Sequence, residues 1–154
     1  MTYKRFVEEY LSKGLLKEQK ANVSAIEKIA IRAERDSMTA NANLAIDEAI
    51  AYTTAYLAML RMARAFMLFK GFRPSDGSQH KTAVEFMTFF LSEESKVLAE
   101  HFDRMRRKRN IFTCDIDISI SKTEAENAIG IASKFLCAIK ELIKKENPQI
   151  EFKF

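Results

Sequence analysis

One long apolar segment decides the fold of this chain: residues 43–70, NLAIDEAIAYTTAYLAMLRMARAFMLFK. Two series of residues at helical spacing run along it, one from Ile46 to Met67 and the other from Ala45 to Phe66. Small residues fill much of the remaining circumference: Ala51, Ala55 and Ala58. A helix that is apolar nearly all round packs on several sides, so this segment is predicted to be the central helix of a bundle.

The composition of the rest of the chain favours long helices with few turns. The 154 residues are 47% hydrophobic and include only four glycines and two prolines. We therefore predict one all-α domain over residues 1–154, an antiparallel bundle of about five to six helices. Periodicity and turn signals predict the further helices at 3–13, 18–38, 79–91, 93–111 after a Ser92 cap, and 121–147 after a Ser121 cap. An extended loop is predicted over residues 111–120. No strong breaker separates 18–38 from the central helix, so one long helix over 18–70 or two helices both remain open.

Several classes of protein are excluded by what the sequence lacks. Two cysteines, Cys114 and Cys137, do not make a disulfide framework and indicate a reducing compartment. The N-terminus has no signal-peptide core, and no apolar run approaches the roughly 18 residues that a membrane span requires. We expect a cytoplasmic protein without membrane contact. No glycine-rich phosphate loop, nucleophile elbow or zinc pattern is present, so we expect no metal ion and no other cofactor.

The positive charge of the chain is concentrated in one segment, residues 98–115, LAEHFDRMRRKRNIFTCD. The chain has 25 basic and 21 acidic residues, and five of the basic ones lie between Arg104 and Arg109, which leaves 20 against 21 elsewhere. An apolar stripe at helical spacing passes through position 109: Leu98, Phe102, Met105 and Phe112. An ionised side chain on such a stripe is costly unless it is paired or near water. We expect Arg106 and Arg107 to be largely exposed, and Arg109 to be buried or to face a groove beside an acidic or amide partner.

Two parts of the sequence resemble HEPN domains: the Arg109-Asn110 pair late in a helix, and residues 55–74, AYLAMLRMARAFMLFKGFRP, which are similar to the central HEPN helix and its exit loop. The resemblance covers roughly residues 20–145. The family motif is an arginine, usually followed by a polar residue, and a histidine four to six residues later. The resemblance implies that Arg109 binds phosphate and that Asn110 orients it, with two such sites paired across a dimer interface. This sequence has Cys114 or Asp115 where the family has histidine.

The resemblance implies a HEPN protein of toxin–antitoxin or related defence type, which binds RNA or a nucleotidyltransferase partner through a basic groove of a homodimer. The candidate catalytic residues are Arg109, Asn110, Cys114 and Asp115, and the candidate nucleic-acid-binding residues are Arg104, Arg106, Arg107 and Lys108. We expect metal-independent ribonuclease activity to be weak or lost, because neither a thiol nor a carboxylate replaces imidazole near neutral pH. His80 and His101 are expected to be surface residues that do not supply it. The alternative is a non-catalytic dimeric helper protein with no nucleic-acid role.

Overall fold

The computed structural model describes residues 1–154 except 76, 78, 116, 118, 151, 153 and 154, and except the side chains of residues 112 and 113. Six helices lie in this part of the chain: α1 (Tyr3–Ser12), α2 (Val23–Asn43), α3 (Glu48–Phe69), α4 (Gln79–Met87), α5 (Lys96–Cys114) and α6 (Lys122–Glu146). Two short strands accompany them, β1 (Leu16–Glu18) and β2 (Phe72–Pro74). With 72% of the described residues helical, the predicted all-α helical bundle is confirmed. Over the described ranges, no helix combines the length and the apolarity that crossing a bilayer would need.

The predicted central helix is α3, which contacts α2, α4, α5 and α6. Thirteen of its 22 residues are buried, among them the fully enclosed side chains of Tyr56, Met59 and Phe66. Its most extensive contact is with α2. Small residues on both helices are completely buried: Ala30, Ala33 and Ala40 on α2, and Ala51, Ala55 and Ala58 on α3. Small buried side chains allow helix backbones to approach closely, which suits a central helix that is packed on several sides.

Residues 18–70 were predicted to form either one long helix or two, and the chain forms two. The Asp47 side chain accepts a hydrogen bond from the backbone N–H of Ile50 at 3.0 Å and so caps α3. Ile46 therefore lies in the turn between the helices, where it is 80% exposed, and the predicted apolar stripe begins later than expected. An aspartate at the N-cap is a favoured helix start, so Asp47 is the sequence signal that marks this boundary.

Strands β1 and β2 pair in antiparallel fashion, where no strand was predicted. Leu16 lies opposite Pro74, and Glu18 lies opposite Phe72. Gly71 ends α3 with a φ of 89°, a conformation that turns the chain directly into β2. Each strand has three residues, too few to display a period of two. The pair joins the N-terminal part of the chain to the exit of α3 and so fixes where α4 begins.

Helix α5 begins and ends three residues later than predicted. Ser92 does not cap it, and its last residue is Cys114, so residues 111–114 are helical and the prediction of an extended loop there was wrong. Nothing between Asn110 and Cys114 interrupts a helix, and the alternation of apolar residues was misleading. The predicted cap of α6 is confirmed, because the Ser121 hydroxyl oxygen accepts a hydrogen bond from the Glu124 backbone N–H at 3.1 Å.

A buried carboxylate links α2 to α3. Asp36 is 2% exposed, and its carboxylate is paired with Arg61 of α3 and, at 3.2 Å, with Arg32 of its own helix. The Arg32 side chain is 55% exposed, so Arg61 is the partner that shields the carboxylate from inside the bundle. A charge that stays buried after losing its partner is strongly destabilising.

We therefore expect Arg61→Met to lower the free energy of unfolding by about 2 kcal/mol, measured by urea denaturation, because a charged hydrogen bond to a buried group is lost. Arg35→Met, which changes an exposed arginine of α2, is the matched control and should change stability by less than about 0.5 kcal/mol. Equal effects of the two substitutions would contradict this account of Asp36.

Candidate functional site

Arg109 lies on the predicted stripe of α5. The preceding members of the stripe, Leu98, Phe102 and Met105, are all buried. The side chain of the following member, Phe112, lies outside the described residues. Arg109 is partly buried, with its Nε enclosed, and its guanidinium carbon lies 5.7 Å from the centroid of the Tyr56 ring. A guanidinium at this distance from a ring face is attracted to the ring's negative centre, so Tyr56 holds Arg109 in place.

His80 contacts the same tyrosine from α4. Its Nδ1 is hydrogen-bonded to the Tyr56 hydroxyl at 2.7 Å, and the two rings stack with 5.8 Å between centroids and 19° between planes. Tyr56 itself is fully buried and packs against Phe102 of α5 at 5.7 Å. His80 is therefore a partly buried residue near the start of α4, and the expectation of a surface histidine without a role beside Arg109 needs correction. The packing of α3 against α4 brings it there.

Two further arginines approach this point. Arg64 of α3 donates a hydrogen bond to the Gln79 side-chain oxygen, which places it at the start of α4 next to His80. Arg106 of α5 is held by Asp103, with its Nε 3.0 Å and one of its terminal nitrogens 2.9 Å from the same carboxylate oxygen. The charges of Arg64, Arg106 and Arg109 all act on both His80 and Tyr56. We call this group, drawn from three helices, the Arg109 cluster: Tyr56, Arg64, His80, Arg106 and Arg109.

The environment sets the proton state of the two titratable members of the cluster. Burial lowers the pKa of His80 below its usual 6.5, and the positive charges of Arg109, Arg64 and Arg106 lower it further. Burial raises the pKa of Tyr56 to about 12, although the same three arginines act in the opposite direction. At neutral pH the imidazole is consequently uncharged, and the tyrosine hydroxyl keeps its proton.

Of the two arginines that were predicted to be largely exposed, only one is. The Arg107 side chain is 66% exposed, in agreement with the prediction, but that of Arg106 is only 18% exposed. Asp103 pairs with both arginines, so their positions around α5 explain the difference. Arg106 lies one turn after buried Phe102 on the side that faces the bundle, and Arg107 lies about 100° further round. The prediction for Arg106 was therefore wrong.

The remaining basic residues surround α5. Lys108 donates a hydrogen bond to Glu124 of α6 at 2.7 Å, while Arg104 is exposed. A groove of about 510 Å³ runs between α4 and α5. Its charged lining includes more basic than acidic side chains: Lys81, Lys96, Arg104, Arg106 and Arg107, against Glu85, Glu100 and Asp103. Because Arg106 belongs both to this lining and to the Arg109 cluster, the groove and the cluster adjoin.

The other predicted site residues do not gather at Arg109. Asn110, Cys114 and Asp115 are exposed. Cys114 lies five residues after Arg109 in the same helix, which corresponds to about 140° of rotation around the helix axis. Asp115 caps α5, and its carboxylate accepts a hydrogen bond from the Asp117 backbone N–H at 3.0 Å. The structure thus brings Arg109 and His80 to the same side chain, Tyr56, whereas Cys114 lies on another side of α5 from Arg109.

The comparison with protein families identifies the class of this protein. The family model of the HEPN domain matches residues 26–142, well over half of the chain, so the chain belongs to the HEPN domain family. This confirms the resemblance expected over residues 20–145. No curated protein and no solved structure matches the chain. Membership indicates a nucleotide-related function of a kind often found in toxin or defence systems, and HEPN domains commonly dimerise.

The lowered pKa of His80 predicts a pH-dependent contribution to stability. Because the unfolded histidine takes up a proton near pH 6.5 and the folded one only at lower pH, the folded state loses stability as the pH falls through this interval. His80→Asn keeps a polar atom near Tyr56 but cannot be protonated. Urea denaturation at several pH values should show that wild type loses stability relative to His80→Asn between about pH 7.5 and 5.5. A difference that widens in favour of wild type on acidification would contradict the direction of the shift.

Proposed function

We propose that this HEPN protein binds RNA through backbone phosphates, in a toxin–antitoxin or related defence setting. The observation that carries the proposal is the convergence of Arg64, Arg106 and Arg109 beside Tyr56 and His80. Arginine side chains match the geometry of a phosphate with two parallel hydrogen bonds, and they keep their charge at all physiological pH values. A phosphate bound at this point would contact groups from three helices at once.

Electrostatic attraction supports an anionic ligand at the Arg109 cluster. The positive charges of Arg64, Arg106 and Arg109 all act on His80. A phosphate bound beside His80 would therefore be attracted by three cations at once, in a partly buried place where the effective dielectric constant is lower than in water.

The adjoining groove offers a path for a longer chain. Its lining has an excess of basic residues, and it meets the cluster at Arg106. Single-stranded RNA carries one negative charge per nucleotide, so several phosphates could be bound along α5. The excess charge of the whole protein lies in this stretch, because residues outside Arg104–Arg109 are nearly balanced. A nucleotidyltransferase partner remains a prediction of the resemblance alone, for which no described surface gives a specific argument.

Binding of labelled single-stranded RNA should weaken steeply as salt rises, with a slope of about −0.7 in log affinity against log salt for each phosphate contacted. Arg109→Ala should reduce affinity about tenfold by removing a charged hydrogen bond to phosphate, and it should also make the slope shallower. Arg35→Ala, on an exposed position of α2, is the control and should leave both quantities unchanged. Binding that is absent, insensitive to salt, or equally affected by the two substitutions would favour the alternative of a helper protein with no nucleic-acid role.

We also propose a homodimer with α5 at its interface. Two large apolar side chains of α5 are exposed: Val97 (48%) and Ile111 (52%). Fourteen residues separate them, which places them within about 40° of each other around the helix. Exposed Arg104 lies between them on this face. Pairing two copies of this face about a two-fold axis would cover the apolar side chains and bring two basic grooves near one another.

Light scattering at micromolar concentration should therefore show a dimer. Ile111→Glu should shift the population toward monomer, because two like charges would meet near the two-fold axis. Met38→Glu, at a 73% exposed position of α2, is the control and should remain dimeric. A wild-type monomer would contradict the homodimer, and dissociation by Met38→Glu but not by Ile111→Glu would move the interface to α2.

A further inference from the structure

We propose that the outer face of α2 is a docking site for an acidic amphipathic helix of a partner protein. This face, which we call the α2 stripe, consists of six residues that are all exposed: Ser24, Lys28, Ile31, Arg35, Met38 and Ala42. The stripe is separate from the Arg109 cluster, because α2 packs against α3 and α6, whereas the cluster is drawn from α3, α4 and α5.

The spacing of the α2 stripe suits contact with another helix. Its residues recur at intervals of four and three, so they return to the same side of α2 every two turns. This is the spacing at which a second helix inserts its side chains between those of the first. From Ser24 to Ala42 the stripe extends about 27 Å, at 1.5 Å per residue. It therefore offers a partner helix a straight contact along most of the length of α2.

Large apolar side chains are exposed on this part of the bundle. Ile31 is 46% exposed and Met38 is 73% exposed, and the stripe leads to the turn before α3, where Ile46 is 80% exposed. Helix α6 is longer than α2, yet over its described residues, 122–146, it has no exposed large apolar side chain. Covering the apolar part of the α2 stripe would remove it from water and so favour binding.

The charged residues of α2 are separated by sign between its outer and inner sides. The exposed ones are all basic: Lys28, Arg32 and Arg35. The acidic ones are partly or fully buried: Glu27, Glu34 and Asp36. Two of these carboxylates are bound inside the bundle, where Asp36 pairs with Arg61 and Glu34 pairs with Lys140 of α6. The outer side of α2 is therefore positively charged, although α2 as a whole has as many acidic as basic residues.

Two of the three cations are available to a partner. Arg32 lies beside the stripe and is paired with Asp36 at 3.2 Å. Within the part of the chain that the structure describes, neither Lys28 nor Arg35 takes part in an ion pair. Both lie on the stripe itself, so a carboxylate that approaches along it would meet a cation with no competing acidic partner.

The order of residues along the stripe specifies the chemistry of the partner. Lys28 and Arg35 are seven residues apart, and so are Ile31 and Met38, so a cation and an apolar residue alternate along the contact. A helix with one acidic and one apolar residue at the two contact positions of each heptad complements both sets. A helix with apolar residues at every contact position would instead bury the two cations without partners, which is costly.

Other occupants fit the stripe less well. A second copy of this chain would bring the same two cations to the contact again, and like charges disfavour that pairing. RNA phosphates would pair with Lys28 and Arg35 but would leave Ile31 and Met38 beside a charged backbone. A lipid surface binds helices that have a wide apolar face, whereas most apolar residues of α2 are already buried in the bundle.

The test uses full-length protein and a fluorescently labelled synthetic helix of three heptads. Leucine and glutamate alternate at its contact positions, and alanine and glutamine fill most of the others. A matched peptide has lysine in place of every glutamate. Fluorescence anisotropy should show that the acidic peptide binds about tenfold or more tightly than the basic one, and that its affinity falls as salt screens Lys28 and Arg35. Amide chemical shifts should change along α2.

Two substitutions test the apolar and the charged part of the stripe. Met38→Ala should weaken binding of the acidic peptide about tenfold by removing apolar surface that the peptide buries. Arg35→Glu should weaken the acidic peptide and strengthen the basic one, because it reverses one of the attracting charges. Ile111→Ala, at a 52% exposed position of α5, is the matched control and should leave both affinities unchanged. Circular dichroism melts verify that each variant is folded.

Several results would overturn the proposal. Equal affinities for the two peptides would show that leucine alone drives binding, and full affinity in both Met38→Ala and Arg35→Glu would place the contact elsewhere. Dissociation of a wild-type dimer by Met38→Glu would assign the stripe to a second copy. Binding to anionic lipid vesicles or to RNA that Arg35→Glu abolishes, without binding of the acidic peptide, would assign it to that ligand. RNA binding that depends on Arg109 is measured separately, so the proposed function does not fall with this one.

Discussion

Helix α3 is buried on most of its sides, and its polar side chains therefore need partners on the helices that surround it. Three such partners connect α3 to its neighbours: Asp36 for Arg61, Gln79 for Arg64, and His80 for Tyr56. The first of these bonds joins α3 to α2, and the other two join it to adjacent residues at the start of α4. The requirement to satisfy buried polar groups thus fixes how α2 and α4 are positioned along α3.

The apolar side of the same helix determines how close the neighbours come. Both α2 and α3 carry fully buried alanines, and small buried side chains allow helices to pack more closely than larger ones would. The large aromatic residues lie elsewhere, where Tyr56 meets Phe102 and Phe102 meets Phe135 of α6 at 5.0 Å. The ring of Tyr56 is therefore rigidly held. Its hydroxyl and its face remain available to His80 and Arg109, so one buried side chain both supports the core and organises the site.

The site carries an electrostatic tension that is typical of functional surfaces. Arg64, Arg106 and Arg109 act together on a histidine that burial already disfavours in its charged form. Asp103 pairs with both Arg106 and Arg107. The positive charges that act on His80 fit the nucleotide-related function of the HEPN family.

Much of the fold follows from local pattern. The apolar character of residues 43–70 fixed the central helix, Ser121 marked the start of α6, and the stripe through Leu98, Phe102 and Met105 led to Arg109. Such features are set by neighbours within a few turns, which is why periodicity and capping reveal them. Asp47 was an equally local signal, and the boundary it marks could also have been predicted.

Only the tertiary structure decided which groups meet Arg109. Tyr56 and His80 are 24 residues apart in sequence, and Arg109 is 29 residues beyond His80. No spacing rule connects residues of three helices across such distances. The family motif covers only a histidine four to six residues after the arginine. The pairing of β1 with β2 could not be predicted from the sequence either, because strands of three residues have no detectable period and depend on a partner far along the chain. The sequence by itself determined the helices and the apolar stripe that leads to Arg109. The packing of α4 against α3 decided which histidine lies near that arginine, because side-chain contacts between helices depend on how the whole core is filled.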